Sequence, residues 1–368
     1  MRLLLTSDLH LGMKFAGYPA IQSTLTEARF ACLERIVAIA GAERCDALVV
    51  AGDLFERIGA ARRDIQRAAD ILAGFTGSLV AVMPGNHDYV APGDTLWPDF
   101  RSSCPDAVVV LDEARPYPLA HFDIDATLYP GPCTSKYADV NAIGWVSAAA
   151  KDAAVRHHIG VAHGSLEGFS PDMDGRYYPM TPAELRDAGV HVWLLGHTHL
   201  PIPATPGPRD SIYCSGTPEP DGMDCAHDGG AWVLDLGEEK AVQARMVRTG
   251  AFRFRDVPAR IADERDLERL VQSYSNDEAR RTVLRLRLEG RVSRETLAGL
   301  GSFATRLREN LLHLDLRNDG IREQLTPALI DAEYPSGSFP HSLLSRLSGA
   351  GDAEALEIAH ELLRETRA

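Results

Sequence analysis

Apolar residues follow two different regimes along the chain. Within residues 1–250, short apolar runs alternate with longer stretches in which apolar positions recur at helical spacing. Arg2 to Thr6 (RLLLT), Ala47 to Ala51 (ALVVA), Leu79 to Met83 (LVAVM), His158 to Ala162 (HIGVA) and Val190 to Leu195 (VHVWLL) read as strands buried on both faces. Between them, Thr26 to Ala42 aligns Phe30, Leu33, Ile36, Val37 and Ala40 on one helical side. Ala60 to Phe75 does the same with Ile65, Ala68, Ala69, Ile71 and Leu72. Doubly buried strands separated by helices predict a layered α/β domain.

The pattern changes near Pro258. Asp263 to Tyr274 is helical in spacing, whereas Thr282 to Leu288 (TVLRLRL) and Leu312 to Leu316 (LHLDL) alternate apolar and polar residues. Half-buried strands of period two beside a helix predict a small, separate α+β unit. Pro327, Pro335, Gly337 and Pro340 read as a linker. Two helices are expected after it, His341 to Leu347 and Asp352 to Thr366. Asp352 caps the second, and Leu356, Ala359, Leu362 and Leu363 form its apolar stripe. The expected domains are therefore 1–250, 251–325 and 326–368.

Bulk properties narrow the classes. A chain of 368 residues suits two to three domains. No apolar run approaches the length of a membrane helix. The opening MRLLLTSDLHLG is apolar too briefly for a signal peptide, and Asp8 interrupts it. A cytoplasmic protein without membrane contact is expected. Its six cysteines form no CxxC pair and read as free thiols of a reducing compartment. The net charge of −14 excludes a protein that coats nucleic acid by charge alone. However, Arg245 to Glu323 holds 17 Arg, no Lys and 13 acidic residues, a local excess of positive charge. That segment suits either a phosphate-rich partner or a solvated surface of alternating sign.

Chemistry-bearing residues stand at the ends of the strands. RLLLT is followed by Ser7-Asp8-Leu9-His10, ALVVA by Gly52-Asp53, and LVAVM by Pro84 and then Gly85-Asn86-His87-Asp88. HIGVA is followed by His163-Gly164, and VHVWLL by Gly196-His197-Thr198-His199. Open α/β sheets bind ligands beyond the carboxyl ends of their strands. Any one ending could be a plain turn, but five at one sheet edge form a constellation. Carboxylate and amide oxygens mixed with imidazole nitrogens suit Mn, Fe or Zn, whereas calcium takes oxygen donors. Asp8, His10, Asp53, Asn86, His163, His197 and His199 are too many ligands for one ion. Two ions sharing a carboxylate absorb them, and such a pair activates water for in-line attack at phosphorus.

In this order the motifs DxH, GD, GNHD, H and GHTH resemble the calcineurin-like metallophosphoesterase superfamily over residues 1–250. SDLHLG, AGDLF, PGNHD and LLGHTH are most similar to the SbcD-type DNA-repair exonuclease subunits. The resemblance implies a four-layer α-β-β-α metallophosphoesterase sandwich with a small α+β capping domain and a C-terminal helical tail. It implies that Asp8, His10 and His199 hold one metal, that Asn86, His163 and His197 hold the other, and that Asp53 bridges. His87 would stabilise the transition state or protonate the leaving oxygen, and Asp88 would orient His87. Two Mn2+ ions are the expected cofactors, with Fe2+ or Zn2+ as alternatives. DNA, an SbcC-like coiled-coil ATPase docked on the tail, and a second copy of the chain are the implied partners. One position departs from the family. Where some members carry a second histidine three residues after the bridging aspartate, this chain has Glu56, followed by Arg57.

The stretches GDLFERIG and GNHD differ from the GDxVDRG-like and GNHE patterns of serine/threonine phosphatases. The absence of a GxxxxGK[ST] loop assigns any ATP-driven step to another chain. Trp97, Tyr177, Tyr178 and Trp193 are the aromatic candidates for base stacking. Trp193 is expected in the core. Tyr177 and Tyr178 stand closer to a substrate, although packing is their expected role. The leading expectation is a DNA nuclease subunit. A phosphodiesterase or phosphatase of small nucleotides or phosphometabolites is the alternative, and a catalytically silent scaffold is the third reading.

Overall fold

The computed structural model describes residues 1–171, 175–207, 209–238 and 241–366. It divides into two compact units, Met1–Arg255 with Arg281–Val283, and Asp256–Arg280 with Leu284–Ala368.

The first unit begins β1 (Arg2–Thr6), α1 (Gln22–Ala42), β2 (Ala47–Ala51), α2 (Arg62–Ala73), β3 (Leu79–Met83), α3 (Leu96–Ser103) and β4 (Val108–Val110). It continues through β5 (Tyr117–Pro118), β6 (Ala126–Gly131), α4 (Gly144–Ala148), β7 (His157–His163), α5 (Pro182–Asp187) and β8 (Val192–Gly196). It closes with β9 (Ile212–Cys214), β10 (Gly230–Leu236) and β11 (Val242–Arg248). Two sheets result, ordered β11-β10-β1-β2-β3-β4 and β5-β6-β7-β8-β9. β1 through β4 run parallel, as do β6 through β9.

Side-chain alternation explains the layering. Leu4, Leu48, Val50, Val80 and Val82 point to one face and pack with Phe30, Leu33, Ile36, Ile65 and Leu72 from α1 and α2. Their neighbours Leu3, Leu5, Val49, Ala81 and Met83 point the other way and meet Ile159, Val161, Val192 and Leu194 of the second sheet. The outer face of that sheet, with Tyr129, Trp193 and Leu195, is covered by Val146 of α4 and Leu185 of α5. The helix-sheet-sheet-helix order follows directly: each central strand is buried on both faces, so each must read as a continuous apolar run. Truncating one such residue, for example Leu48→Ala, costs about 2–5 kcal/mol.

The second unit holds most of β12 (Arg253–Arg260) and β13 (Thr282–Val292), whose first residues count with the first unit, together with α6 (Glu264–Ser273), α7 (Arg294–Asn310) and β14 (His313–Glu323), with sheet order β12-β13-β14. Leu284, Leu286 and Leu288 of β13 pack against Leu267, Val271, Phe303 and Leu307 of the two helices. The intervening arginines face away from this core. There Arg285 pairs with Asp315 at 2.9 Å, Arg287 with Asp256 at 2.7 Å, and Arg317 with Asp315 at 2.8 Å. These three arginines are thus matched by carboxylates of the same unit. Helix α7 carries a weak helical signature in the sequence because Gly299 and Gly301 interrupt it with poor helix formers.

The expected linker is itself helical. Pro327 opens α8 (Pro327–Glu333), capped by Thr326, and Pro340 lies in the first turn of α9 (Phe339–Ala350), capped by Ser338. Proline lacks an N–H that this first turn does not need, so here it starts helices. Asp352 caps α10 (Ala353–Glu365) through Ala355 N at 3.0 Å, as expected. Ile330, Tyr334, Leu344 and Leu356 join these three helices in a small core of their own. All six cysteines are free thiols, and among the described residues no helix is long and apolar enough to cross a membrane.

Candidate metal centre

The carboxyl ends of β1, β2, β3, β7 and β8 bring all seven expected ligands together in the first unit. The approach is close enough to exclude side chains between them. A Cβ on Gly52 would stand 2.0 Å from His163 Nδ1, and one on Gly85 would stand 2.2 Å from Asp53 Oδ1. Backbone strain is concentrated here. Among the described residues, the non-glycine positions with positive φ are Asp8, His10, Arg44, Asp53, Asp123, Tyr178 and His197, and four of these seven are expected ligands. Such conformations persist where the surrounding fold enforces them, and they cluster at functional sites.

Three donor groups have ligand atoms within 4.8 Å of one another: Asp8, His10 and His199; His10, Asp53 and His87; and Asp8, Asp53 and His163. Asn86 completes the set, with its Oδ1 at 3.0 Å from His163 Nε2 and 3.1 Å from His197 Nδ1. Asp53 stands between the groups. Its Oδ2 lies 3.2 Å from His163 Nε2 and 3.7 Å from His10 Nε2, while its Oδ1 accepts the His87 N–H at 2.8 Å. Asp8, His10, Asp53, Asn86 and His163 are all buried.

The donor set fits cations. Neither ring nitrogen of His10 has a well-formed hydrogen bond among the described residues, although the ring is buried. Burial opposes a charged imidazolium at His163, yet Asp53 overcomes that cost and lifts its pKa to about 9. Burial likewise opposes a charged Asp53, and His163 and His10 overcome it and hold the carboxyl well below its usual range. The carboxylate thus draws positive charge into the centre, and a divalent cation can take the place of the proton.

Two carboxylates outside the seven lie beside the histidines. Glu56 Oε2 lies 3.1 Å from His10 Nδ1, and Asp221 Oδ2 lies 3.6 Å from His199 Nδ1. Asp221 is held in turn by buried Arg29 at 2.7 Å, whose other amino group donates to Leu9 O at 2.7 Å. A carboxylate on one ring nitrogen orients the other toward a metal. Sequence reading flagged Glu56 only as a departure and missed Arg29 and Asp221. Arg29 looks like one more helical surface residue, and Asp221 sits in a loop without a motif.

His87 points into the centre, its ring 4.7 Å from that of His10. The expectation that Asp88 orients it is not what the structure contains. Asp88 accepts N–H bonds from Gly85 at 2.7 Å and Phe55 at 2.9 Å, which pins the turn after β3 to the turn after β2. Instead, Glu56 O lies 3.0 Å from His87 Nδ1. A carbonyl can only accept, so Nδ1 carries the hydrogen and, in the neutral ring, Nε2 does not. Burial lowers the pKa of His87. Trp97 and Trp193 are core residues.

A family model described as calcineurin-like phosphoesterase matches residues 1–201. The uncharacterized metallophosphoesterase YhaO of Bacillus subtilis is 27% identical over 212 residues, which cover 52% of this chain and 47% of that protein. The chain thus spans about half the length of the curated relative it matches. Two solved structures are also similar. One is TT1561 of Thermus thermophilus, with 14% identity and a TM-score of 0.39, covering 67% of this chain and 99% of that one. The other is a dimetal phosphatase from Danio rerio, with 12% identity and a TM-score of 0.35, covering 68% and 99%.

Proposed function

The chain belongs to the calcineurin-like phosphoesterase family, and from that premise we propose that it hydrolyses phosphodiester bonds in DNA, as the nuclease subunit of a repair or processing complex. The observation that carries the phosphodiesterase reading is the convergence of seven oxygen and nitrogen donors and His87 from five strand ends. In this reading Asp8, His10 and His199 hold one divalent cation and Asn86, His163 and His197 the other, with Asp53 between them. Bound cations of this kind supply Lewis acidity, neutralising phosphoryl oxygens and making water acidic near neutral pH.

The chain's own groups do the remainder. Glu56 and Asp221 set the rings of His10 and His199. Asn86 contributes a neutral oxygen, which limits negative charge where a phosphate must approach. His87 is neutral in the free chain and presents Nε2 without a hydrogen. An arriving phosphate favours the charged imidazolium, so His87 gains an Nε2 hydrogen as substrate binds and can donate it to the leaving oxygen.

A groove beside the centre supports a polyanionic substrate over a small one. It encloses about 820 Å³ and is lined by Leu11, Glu56, Arg57, Lys14, Arg63 and Arg67 among others. Arg67 is paired with Glu27 and Arg63 with Asp64. Lys14 and Arg57 form no ion pair among the described residues and are exposed. The SbcD-like motifs support the same substrate, with Mn2+ as the metal, a homodimer as the assembly and a coiled-coil ATPase as the partner. The test is a Mn2+-supplemented assay on linear duplex DNA, single-stranded DNA and cyclic nucleotides. Cleavage of DNA is the expected result. Turnover confined to cyclic nucleotides would favour the small-molecule reading instead.

A further inference from the structure

A second rim of the centre carries aromatic rings that the phosphoester chemistry does not use. Tyr177 lies against His197, with ring centroids 4.9 Å apart and planes inclined by 34°. Tyr137 follows at 5.3 Å from Tyr177 and is 54% exposed, so part of its ring is open to a ligand. Lys136 Nζ stands 5.7 Å from the Tyr137 ring centre.

The loop that presents Tyr137 is built to stay in place. Buried Tyr178, at a strained φ of 47°, sends its hydroxyl into the turn after β6. That oxygen accepts from Thr134 N at 2.9 Å and Ser135 N at 2.8 Å, and donates to Ser135 O at 3.0 Å. Ser135 Oγ then donates to Tyr137 O at 2.8 Å. Ala138 and Tyr177 are bridged as well, through Ala138 N to Arg176 O at 2.8 Å and Tyr178 N to Ala138 O at 2.9 Å. This arrangement fixes the backbone and leaves the Tyr137 ring backed by Tyr177 and partly open to solvent.

We infer that Tyr137, backed by Tyr177, is a stacking subsite for the nucleobase joined to the scissile phosphate. The inference rests on the phosphodiesterase reading of the centre, because the ring series begins on His197. Every base has a π-face, so such a platform binds nucleotides with little sequence preference. It also makes nucleotides, rather than phosphorylated metabolites without a ring, the substrate class.

The test uses the full chain loaded with Mn2+ and two probes. One is 2-aminopurine deoxyribonucleoside 5′-monophosphate, whose fluorescence is quenched on stacking, and the other is deoxyribose 5-phosphate, which has no base. The expected result is quenching by the wild type. Tyr137→Leu should abolish the quenching and weaken nucleotide binding about tenfold or more, while Tyr137→Phe retains both. Deoxyribose 5-phosphate should bind wild type and Tyr137→Leu alike. The inference is overturned by absence of quenching in the wild type, by unchanged nucleotide binding in Tyr137→Leu, or by equal loss of both probes. Failure of the underlying reading appears separately, as absence of bis(p-nitrophenyl) phosphate hydrolysis by the Mn2+-loaded wild type.

Discussion

Glu56 shows how a single departure from a family pattern acquires a physical role. Its carboxylate is partly buried beside His10, and burial alone would raise its pKa. The His10 imidazole outweighs burial and lowers it. Its backbone carbonyl faces His87 Nδ1, so one residue reaches two histidines, its carboxylate standing beside the His10 ring and its main chain fixing the His87 tautomer. Only the first contact depends on side-chain identity. Glu56→Ala should therefore weaken one of two metal-binding steps by about 10- to 100-fold, leaving the other step and the fold intact. Calorimetric titration with Mn2+ measures this, and two unchanged binding steps would show that Glu56 does not position His10.

At the scale of elements, the strand ends were legible because doubly buried strands leave an unmistakable apolar run and their polar endings stand out against it. Less was legible where an element is short or its partner distant. β4 and β5 are three and two residues long, too few for a period to show. The role of Asp88 was misread because its partners are backbone N–H groups of Gly85 and Phe55, which have no sequence signature. The glycines of the motifs are a sharper case. Gly52 joins β2 to the centre at a φ of +93°, and a methyl group there would enter the His163 ring. Gly52→Ala therefore combines left-handed strain with a clash against a buried ligand. It should destabilise the chain by about 2 kcal/mol or more and reduce metal content. Urea unfolding and metal analysis check this, and a loss below about 0.5 kcal/mol would mean that β2 and β7 leave room for a methyl group between Gly52 and His163.

For the whole molecule, the division into two units separates chemistry from what is proposed to be docking. Every expected ligand, and His87, belongs to the unit of Met1–Arg255, which has large apolar clusters on both faces of its six-stranded sheet. Helices α8 to α10 belong to the other unit and close a small cluster around Tyr334 and Leu344. On the solvent side, Phe339, Ile358 and Leu362 are 72%, 54% and 58% exposed. Ile358 and Leu362 are four residues apart, so they share one face of α10, as a helix that pairs with another helix would require. Deleting residues 326–368 removes all of this cluster except Leu325 and touches no expected ligand. Effects at independent sites add, so the shortened chain should retain two Mn2+ ions and hydrolyse bis(p-nitrophenyl) phosphate within about twofold of the full chain. Binding to a coiled-coil ATPase should be lost in the same variant. Retained ATPase binding would locate docking elsewhere on the chain, and lost metal would mean that the first unit depends on the second for its fold.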